Sequence, residues 1–485
     1  MEKKNLYITT TLPYINSDPH IGFASEIIRA DVIARYLRQE GHEVIFNTGT
    51  DEHGLKILQK AQEEGMSVKD FCDRNSAKFL PLKEKLNLSY DRFIRTTDKH
   101  HEAAAQAFWS LCEANGDIYK KNYEVKYCVG CEMEKTDSEL ESGICPLHPN
   151  NIIEIINEEN YFFRFSKYQD KLLALYKNNP DFVKPASRLK EITAFVGAGL
   201  QDFSISRLKE KMPNGVAIPG DDSQVMYVWF DALVNYISTL GWPEKNTDFE
   251  NFWPGLQVCG KDNLRPQTAM WQAMLMSAGI INSKQVLVFG FLTVNGKKIS
   301  KSTGNSVDPL ELVDKFGTDA LRYYLLAEMS SFEDGDYSLD KFLDRYNSDL
   351  ANGLGNLSAR VSNLLEKNEI VTDLKIDLAD KNIEKLILEF KSLMKEFSFN
   401  ECLQLIWSKV RECDEILSRE TPWKMTDKEK IATILKPVAQ TILNLSFILE
   451  PFIPESAKKI QTAFLESQIK KLPPLFPRLQ KEEEK

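Results

Sequence analysis

The chain of 485 residues has little of what marks a secreted disulfide scaffold, a membrane protein or a basic nucleic-acid-binding protein. Its 8 cysteines are too few for a disulfide framework, and we see no apolar run of the roughly 18 residues that a membrane span requires. The formal net charge is −10, although nucleic-acid binding depends on local patches rather than on the total. The first residues carry no signal-peptide pattern. We therefore expect a globular cytoplasmic protein without a membrane segment.

The first fifty residues predict a βαβ unit. An apolar, β-branched strand covers residues 6–10, and a loop rich in proline and small polar residues follows through Pro19. Helical periodicity begins near Ser25 and stops at Gly41, and a second strand at residues 44–46 leads into a polar segment. This order predicts a parallel sheet, whose ligands bind beyond the carboxyl ends of the strands. His20 and Asp51 would both lie at that edge.

The rest of the chain changes character twice. Residues 118–165 are rich in strand signals, and residues 202–219 look irregular. Apolar runs typical of a central sheet return at residues 225–229, 256–259 and 286–291. Beyond residue 331 the helical period of 3.6 dominates, which predicts a helical bundle. The chain is long enough for two to four domains.

Two short segments, about 280 positions apart, are suited to holding phosphates. The first is Pro19-His20-Ile21-Gly22 at a strand-to-helix turn, where backbone N–H groups attract anions and glycine permits close approach. The second is Lys298-Ile299-Ser300-Lys301-Ser302, with Gly296 and Gly304 as expected hinges. Each alone has an ordinary explanation, as a turn with a surface histidine or as a solvated basic loop. Together they indicate a split nucleotide-binding fold that uses ATP.

Three cysteines and a histidine have the spacing of metal ligands. Cys128-Val129-Gly130-Cys131 is followed, after thirteen residues, by Cys145-Pro146-Leu147-His148. Two such knuckles place four ligands tetrahedrally around Zn²⁺, which leaves no open position for chemistry. A disulfide pair or incidental cysteines are the alternatives. We expect one structural zinc ion on Cys128, Cys131, Cys145 and His148.

With its two phosphate motifs in this order, the chain resembles the class I aminoacyl-tRNA synthetases, whose signatures are His-Ile-Gly-His and Lys-Met-Ser-Lys-Ser. The resemblance to the methionine-specific family covers essentially the whole chain. It includes the segments Thr9–Tyr14, Thr48–Gly54, Tyr227–Ala232 and Gly260–Asp262. It implies an enzyme that activates L-methionine with ATP to methionyl-adenylate and transfers it to the 3′ end of tRNA(Met), initiator tRNA included.

The resemblance also implies roles for individual residues. Catalysis would consist of positioning and of neutralising charge on phosphate oxygens, with Mg²⁺ accompanying ATP. The catalytic positions would be His20, Gly22, Lys298 and Lys301. The ATP-binding positions would be Thr9, Asn16, His20, Gly22, Gly260, Asp262, Lys298, Ser300 and Lys301. The methionine-binding positions would be Leu12, Tyr14, Asp51, Trp229, Ala232, Tyr236, Gln267 and Trp271.

The methionine positions suit their ligand. Methionine is unbranched, uncharged and polarizable, so an aromatic site with few polar anchors is expected for it. Asp51 would bind the substrate ammonium group. Without the resemblance, an aromatic stripe of this kind would be interpreted as core packing.

Two positions depart from the family pattern. Phe23 stands where the family usually has a second histidine that contacts phosphate, and it cannot donate a hydrogen bond. Gln267 stands where the family usually has a histidine near the methionine pocket; it can donate but does not titrate. Either the activity is altered or neighbouring residues compensate, and we expect a working enzyme.

The helical C-terminal part carries a candidate anticodon site. Asn356 and Arg360 are spaced i, i+4 on one helix face, and Trp423 lies in a later loop. The resemblance implies that these three residues read the CAU anticodon through hydrogen bonds and stacking. The ordinary interpretation makes Asn356 and Arg360 surface polar residues and Trp423 a core anchor.

The expected fold class is α/β, with a Rossmann-type parallel-sheet catalytic domain split by a zinc-binding insertion and followed by an all-α bundle. The expected boundaries are 1–115 and 225–330 for the catalytic halves, 116–224 for the insertion with its zinc knuckle at about 124–150, 331–350 for a stem-contact linker and 351–485 for the anticodon-binding domain. No module follows the bundle, so a monomer is expected.

Three alternatives stay open on the sequence alone. The chain could be another class I synthetase with a small insertion, such as the cysteine enzyme. It could be a catalytically idle paralogue, for which Phe23 and Gln267 are the motivation. A zinc-stapled nucleic-acid-binding protein without ATP chemistry is the third, and it leaves the lysine segment unexplained.

Overall fold

A computed structural model describes residues 3–131, 133–135, 137–149, 152–245, 247–299 and 305–479. Within these residues the chain forms two compact units, each assembled from three segments. The first unit comprises Met1–Pro19, Leu37–Pro81 and Ser89–Val288, and the second comprises His20–Tyr36, Leu82–Leu88 and Phe289–Lys485. The segment that begins at His20 therefore groups with the C-terminal half of the chain.

The helices and strands alternate in the first part of the chain, and helices dominate the last part. The strands are β1 Asn5–Thr10, β2 Glu43–Thr50, β3 Arg92–Arg95, β4 Ile118–Cys128, β5 Met133–Lys135, β6 Ile153–Phe163, β7 Val183–Lys184, β8 Phe203–Ser204, β9 Ser206–Leu208, β10 Ala217–Ile218, β11 Asp221–Met226, β12 Leu256–Gly260, β13 Gln285–Phe289, β14 Leu292–Val294, β15 Lys297–Lys298 and β16 Gly335–Tyr337. The α-helices are α1 Ile21–Gln39, α2 Leu55–Glu63, α3 Val68–Ser76, α4 Leu82–Lys85, α5 Lys99–Ala114, α6 Gln169–Asn178, α7 Ala186–Gly197, α8 Val228–Leu233, α9 Asn235–Ser238, α10 Asp248–Phe252, α11 Trp271–Ser277, α12 Pro309–Phe316, α13 Thr318–Ala327, α14 Leu339–Arg345, α15 Asn356–Lys367, α16 Glu384–Lys395, α17 Phe399–Glu420, α18 Lys428–Leu449 and α19 Pro454–Phe464.

A six-stranded parallel sheet is the core of the first unit, with the strand order β3-β2-β1-β12-β13-β7. Ile8 of β1 is fully buried and pairs with Phe46 of β2 on one side and Leu256 of β12 on the other. The apolar, β-branched composition of β1 suits this central place, because both faces of a parallel sheet are covered. The expected α/β class with a parallel sheet is confirmed.

The residues between β3 and β12 build a smaller antiparallel sheet that flanks a cysteine-containing loop. β4 and β6 pair over their full length, from Ile118 opposite Phe163 to Cys128 opposite Ile153. β7 of the same stretch joins the edge of the main sheet beside β13. No local pattern predicts this edge strand, because it is only two residues long.

The structure corrects three local expectations in the first part of the chain. Residues 225–229 are not a strand of the central sheet: β11 lies in a three-stranded antiparallel sheet, and α8 begins at Val228. Residues 202–219 are not irregular throughout, because they contain β8, β9 and β10. The first helix begins at Ile21 rather than near Ser25.

The second unit is a helical assembly held by a buried ion pair. Arg322 of α13 is fully buried and lies 2.8 Å from Oδ2 of Asp31 of α1. The guanidinium also donates to the carbonyl oxygens of Leu86, Pro451 and Phe452. Arginine can satisfy several acceptors at once through its planar fork, which makes a buried charge tolerable here. Acceptors from three separate stretches of sequence thereby bind one side chain on a fourth.

One helix of the second unit, α18, is long and apolar enough to cross a membrane by length and composition. However, 61% of its apolar window is buried against the rest of the protein. A core helix of a bundle has the same composition, so this helix is weak support for a membrane span.

Candidate active site

A histidine closes the turn before α1. Nδ1 of His20 accepts hydrogen bonds from the backbone N–H groups of Gly22 at 3.1 Å and of Phe23 at 3.4 Å. The N–H of Ile21 donates to the carbonyl oxygen of Val307 at 2.9 Å. The first three backbone N–H groups of the helix thus bond to protein acceptors. The sequence motif instead predicts that these N–H groups are available to bind an anion. Because Nδ1 accepts, the neutral ring carries its proton on Nε2, so the imidazole is the donor that this turn offers.

Gly22 lies between this imidazole and the lysine segment. A β-carbon at position 22 would meet Cε1 and Nδ1 of His20 at 3.0 Å and Cδ1 of Ile299 at 3.3 Å. Ile299 directly follows Lys298, so the two phosphate motifs are in contact within the second unit. A side chain at position 22 would therefore make His20 or Ile299 shift by a few tenths of an ångström, and glycine avoids this.

The lysine segment begins in the second strand of a tight β-hairpin. β14 and β15 pair antiparallel, and the two turn residues, Asn295 and Gly296, have φ values of 51° and 73°. Positive φ at both positions is typical of a type I′ turn. Oδ1 of Asp336 accepts from the N–H of Gly296 and from the hydroxyl of Thr293, each at 2.7 Å. Gly296 thus lies in a hydrogen-bonded hairpin turn, and its role as a hinge stays a prediction.

Part of the lysine segment cannot be compared with the prediction. The backbone of Lys298 is described, and it pairs with Thr293. The side chain of Lys298, and the predicted residues Ser300, Lys301 and Gly304, lie outside the described residues.

The carboxyl edge of the main sheet in the first unit gathers several other predicted positions. Beyond β1 and β2 the backbone stays paired, since the N–H of Ile15 donates to Asp51 O at 3.3 Å and the N–H of Asp51 donates to Pro13 O at 3.0 Å. This pairing places Tyr14 beside Asp51 and carries Leu12 to the same edge. Asp51 is only 4% exposed, so its carboxylate lies in a largely dry environment.

The predicted ATP positions of the first unit also lie near this edge. Gly260 ends β12, and the turn that contains Asp262 follows it directly. Asn16 lies two residues beyond Tyr14 in the paired loop. Thr9, in contrast, is fully buried inside β1, and its hydroxyl accepts from Asn47 at 3.4 Å. Its side chain therefore acts within the sheet core.

A buried His–Asp pair joins this edge to α8, the helix that carries the predicted methionine positions Trp229 and Ala232. Nδ1 of His53 lies 2.7 Å from Oδ2 of Asp231, and their side chains are 4% and 0% exposed. His53 follows Asp51 by two residues, while Asp231 lies on α8 between Trp229 and Ala232. Burial lowers the pKa of His53, but the carboxylate of Asp231 outweighs burial and raises the pKa above its ordinary value. Burial also raises the pKa of Asp231, so the pair keeps its shared proton to higher pH than a free imidazole would.

The remaining methionine positions contact one another directly. The rings of Tyr236 and Trp271 meet edge to face with centroids 5.9 Å apart. Nε2 of Gln267 donates to the hydroxyl oxygen of Tyr236 at 2.5 Å. Gln267 and Trp271 lie in one continuous helical stretch, which begins as a π-helical turn at Pro266–Met270 and continues as α11. π-Helical turns are frequent at functional sites.

The cysteine cluster is assembled as its spacing predicts. The ligand atoms of Cys128, Cys131, Cys145 and His148 all lie within 4.8 Å of one another, and the three cysteines form no disulfide. Sγ of Cys131 lies 3.5 Å from Sγ of Cys145 and 3.2 Å from Nδ1 of His148. Three sulfur atoms and one imidazole at this separation fit a tetrahedral zinc site, whose edges are roughly 3.8 Å for bonds of 2.3 Å.

The cluster contacts the first turn of α2, which begins four residues after Asp51. Nζ of Lys56 donates to the carbonyl oxygen of Gly130, between the first two cysteines, at 2.8 Å. The same ammonium lies 5.7 Å from the ring centroid of Tyr14. Tyr127 and Val129 pack against Leu55. One lysine thus connects the knuckle to a predicted methionine position.

Comparison with known proteins identifies the family. A family model described as tRNA synthetases class I (M) matches residues 6–151 and 149–362. A methionine–tRNA ligase of Mesorhizobium japonicum is 42% identical over 95% of this chain and 91% of its own length. One from Thermosynechococcus vestitus is 41% identical over 93% of this chain and 88% of its own length. The chain belongs to the methionyl-tRNA synthetases.

Solved structures agree with this membership. A Mycobacterium tuberculosis methionyl-tRNA synthetase in complex with methionyl-adenylate has a TM-score of 0.89 and 37% identity, and the match covers 95% of this chain and 94% of that chain. A second structure of that enzyme, bound by Met-AMP, has a TM-score of 0.90 at 36% identity and covers 98% and 100% of the two chains. The expected ligase activity, which activates methionine and charges tRNA, is confirmed.

The C-terminal helices of this synthetase bring two predicted anticodon positions together. The guanidinium of Arg360 lies 5.5 Å from the ring centroid of Trp423 and donates to Asp414 at 2.6 Å. Asn356 begins the same helix, α15, and is exposed. Trp423 is 43% exposed, so it is not a core anchor, and it lies in a one-turn 3₁₀ helix at Pro422–Lys424 rather than in an irregular loop.

Sequence reasoning missed three side chains that organise this synthetase. His53 and Asp231 both lie inside segments quoted for the family resemblance, but their contact spans 178 positions and no local pattern pairs them. Asp336, which fixes the hairpin before the lysine segment, follows it by about forty residues and had no signal. Only the Asn295-Gly296 dipeptide offered a usable signal, since this pair favours a tight hairpin.

The His53–Asp231 pair predicts a specific pH response. Replacing Asp231 with asparagine removes the charge that raises the pKa of His53, so the imidazole should titrate at clearly lower pH than in the parent chain. Nuclear magnetic resonance of the ring carbons can follow this group, because the chain has only 6 histidines. Asp248→Asn, which removes a surface partner of Arg92, is the matched control and should leave the His53 titration unchanged.

The same variant should lose stability in a pH-dependent manner. A folded-state pKa above the unfolded value contributes stability that is full below about pH 6.5 and is lost as the pH rises through the folded-state value. The difference in unfolding free energy between the parent and Asp231→Asn should therefore shrink with rising pH. A difference that grows over this interval would contradict a charged imidazole.

Proposed function

We propose that this chain forms methionyl-adenylate from L-methionine and ATP with the residues assigned below, and then charges tRNA(Met), including initiator tRNA. The observation that carries the assignment is the contact of Gly22 with Ile299, which joins the two phosphate motifs in one unit. The solved relative from Mycobacterium tuberculosis holds methionyl-adenylate, which supports this product. In the family's first step the methionine carboxylate attacks the α-phosphorus of ATP and pyrophosphate leaves. In the second step a hydroxyl of the terminal ribose attacks the carbonyl carbon of the adenylate and AMP leaves.

The His20 turn and the lysine segment handle the phosphates. His20 donates from Nε2 to a phosphate oxygen, while Gly22 lets this turn approach Ile299 of the lysine segment closely. Lys298 and Lys301 neutralise charge that is spread over phosphate oxygens in the transition state, and Mg²⁺ accompanies the pyrophosphate. Gly260, Asp262, Asn16 and Ser300 complete the ATP positions. Thr9 supports them from within the sheet, because its buried hydroxyl bonds to Asn47.

Methionine is held at the sheet edge of the first unit. Asp51 binds the ammonium group, since a nearly buried carboxylate attracts a cation strongly. Leu12, Tyr14, Trp229 and Ala232 surround the side chain, and Tyr236, Gln267 and Trp271 form the connected group beside them. Shape alone distinguishes methionine from a smaller competitor by about 1–3 kcal/mol.

Methionine-dependent exchange of pyrophosphate into ATP tests the proposal. The parent chain should catalyse this exchange with methionine and not with cysteine or leucine, and absence of exchange would indicate an idle paralogue. Phe23→His should raise kcat about tenfold, because a side-chain donor to a charged phosphate contributes about 1.5 kcal/mol. Phe23→Leu is the matched control without a donor. Equal rates for the histidine and leucine variants would show that position 23 does not reach phosphate.

The cysteine cluster holds one structural zinc ion, with Cys128, Cys131, Cys145 and His148 as ligands. The support is the proximity of three thiols and one imidazole, a donor set that zinc prefers. When bound, the ion closes the knuckle and performs no chemistry. Lys56, which bonds to Gly130 of the knuckle, is thereby held in place beside the ring of Tyr14.

Elemental analysis and kinetics test this metal assignment together. The purified chain should contain one zinc per molecule, and Cys131→Ser should reduce that content to below about half. The variant should also raise the KM for methionine more than the KM for ATP, because the loosened knuckle releases Lys56. Cys259→Ser, a change at a cysteine outside the cluster, is the control for metal content. A metal-free parent chain with full activity would refute the site.

The exposed surface around Asn356, Arg360 and Trp423 reads the anticodon of tRNA(Met). The supporting observation is an indole that is 43% exposed and lies beside a guanidinium, an arrangement suited to stacking and hydrogen bonding with unpaired bases.

Replacing Trp423 tests this surface. Trp423→Ala should lower kcat/KM for tRNA charging by about 5- to 100-fold, since stacking of one base contributes about 1–3 kcal/mol. Pyrophosphate exchange should change less than about twofold, because this step needs no tRNA. Leu388→Ala, at another exposed apolar side chain of the bundle, is the control. Equal losses in both assays would refute the anticodon assignment.

The remaining proposals concern organisation. We propose that the enzyme acts as a monomer in the cytoplasm, with residues 1–115 and 225–330 as catalytic halves and residues 116–224 as the insertion with its knuckle at about 124–150. Residues 331–350 would contact the tRNA stem, and residues 351–485 would bind the anticodon. The long helices α15, α17 and α18 within residues 351–485 support a helical tRNA-binding region there.

A further inference from the structure

A continuous chain of buried amide side chains lies behind Tyr236. Gln267, Gln257 and Gln272 are 2%, 1% and 0% exposed. Oε1 of Gln267 accepts from Nε2 of Gln257 at 3.1 Å, while Nε2 of Gln267 donates to Tyr236. Nε2 of Gln272 donates to Oε1 of Gln257 at 3.4 Å and to the backbone oxygen of Gln267 at 2.8 Å. Three glutamines from β12, the π-helical turn and α11 thus form one network.

A backbone group fixes the direction of this network. The N–H of Ser283 donates to Oε1 of Gln272 at 3.1 Å. A backbone N–H can only donate, so Gln272 must present its oxygen to Ser283 and its NH₂ group to Gln257 and Gln267. The hydroxyl of Ser283 also donates to Oε1 of Gln257 at 2.6 Å. Gln272 then fixes the orientation of the Gln257 amide, and Gln257 fixes that of Gln267. As a result, an N–H of Gln267 donates to the hydroxyl oxygen of Tyr236.

We infer that Gln257 and Gln272 are positioning residues that fix the donor of Gln267 on Tyr236, and that this amide network makes methionine recognition at position 267 independent of pH. The inference rests on the proposed methionine site. An amide neither gains nor loses a proton in the physiological range, whereas an ordinary imidazole titrates near pH 6.5. A histidine at position 267 would turn into a double donor on acidification and would disturb the acceptor that Gln257 needs.

Other titratable groups near the network also bear on the pH dependence of the methionine site. Those on the elements around the network include Tyr236 itself, Tyr176, Cys259, His101 and Lys284. Tyr7 lies on β1 beside β12, and Cys112 and Asp117 bond to Met274 and Ser277 of α11. Burial lowers the pKa of His101 to about 3, which keeps its ring neutral beside Ser238. Burial raises the pKa of Tyr176, whose hydroxyl donates to the carbonyl oxygen of Thr268. The His53–Asp231 pair titrates in both the parent and a variant at position 267, so its effect cancels in a ratio of the two.

The pH dependence of the methionine KM tests the inference. Pyrophosphate exchange is measured between about pH 5.5 and 8.5 for the parent and for Gln267→His. The ratio of the two KM values, variant over parent, should rise by about 3- to 10-fold as the pH falls through the pKa of the introduced imidazole, which nuclear magnetic resonance of the variant locates. An imidazole that stays neutral across this interval, or a ratio that stays constant through its titration, would overturn the pH argument.

Gln257 is tested separately. Gln257→Met has similar size but no donor, and it should raise the KM for methionine by about 3- to 10-fold with less than twofold change in the KM for ATP. Gln285→Met, at a glutamine of the adjacent strand β13 whose side-chain amide donates to the carbonyl oxygen of Asp181, is the matched control. A role confined to stability would lower the melting temperature and leave both KM values unchanged, and that result would overturn the positioning role.

Failure of this inference differs from failure of the proposed function. A parent chain without methionine-dependent exchange would remove the proposed function. A parent chain that exchanges normally, with an unchanged KM in Gln257→Met, would remove only the inference.

Discussion

The contact between Gly22 and Ile299 is the constraint on which the phosphate site depends. It brings a turn near the start of the chain against a segment about 280 residues later, where an added β-carbon would force its neighbours to shift. The N–H groups that open α1 bond to His20 and Val307 rather than remaining available to an anion. The helix end therefore orients an imidazole, and the imidazole carries the donor. A hairpin fixed by Asp336 determines where the lysine segment begins.

The methionine positions depend on polar contacts between elements that are distant in sequence. His53 and Asp231 join the end of the β2 strand to α8, and the amide network joins β12 to Tyr236. Lys56 connects Tyr14 to the zinc knuckle. Each of these contacts is buried or half-buried, where an unmatched polar group would be costly. The arrangement of the predicted methionine positions therefore depends on their buried hydrogen-bond partners as well as on the residues that would contact methionine.

Much of this organisation could be predicted because the signals are local. The βαβ pattern, the cysteine spacing and the helical periodicity of the last 150 or so residues each depend on neighbours in sequence. The assignment of residues 225–229 to the central sheet failed because an apolar run cannot distinguish a buried helix start from a strand. The two-residue edge strand β7 and the partners Asp231, Asp336 and Gln257 gave no local signal, since each acts through a contact formed only in the folded chain.

A double-mutant cycle on His20 and Lys298 tests most directly whether the two motifs form one phosphate site. The kcat for methionine-dependent pyrophosphate exchange is measured for the parent, His20→Ala, Lys298→Ala and the double variant. Side chains that act on the same phosphate group should be coupled by at least about 1 kcal/mol, so the double variant loses less than the product of the two single losses. Losses that multiply within about 0.5 kcal/mol would contradict a shared site.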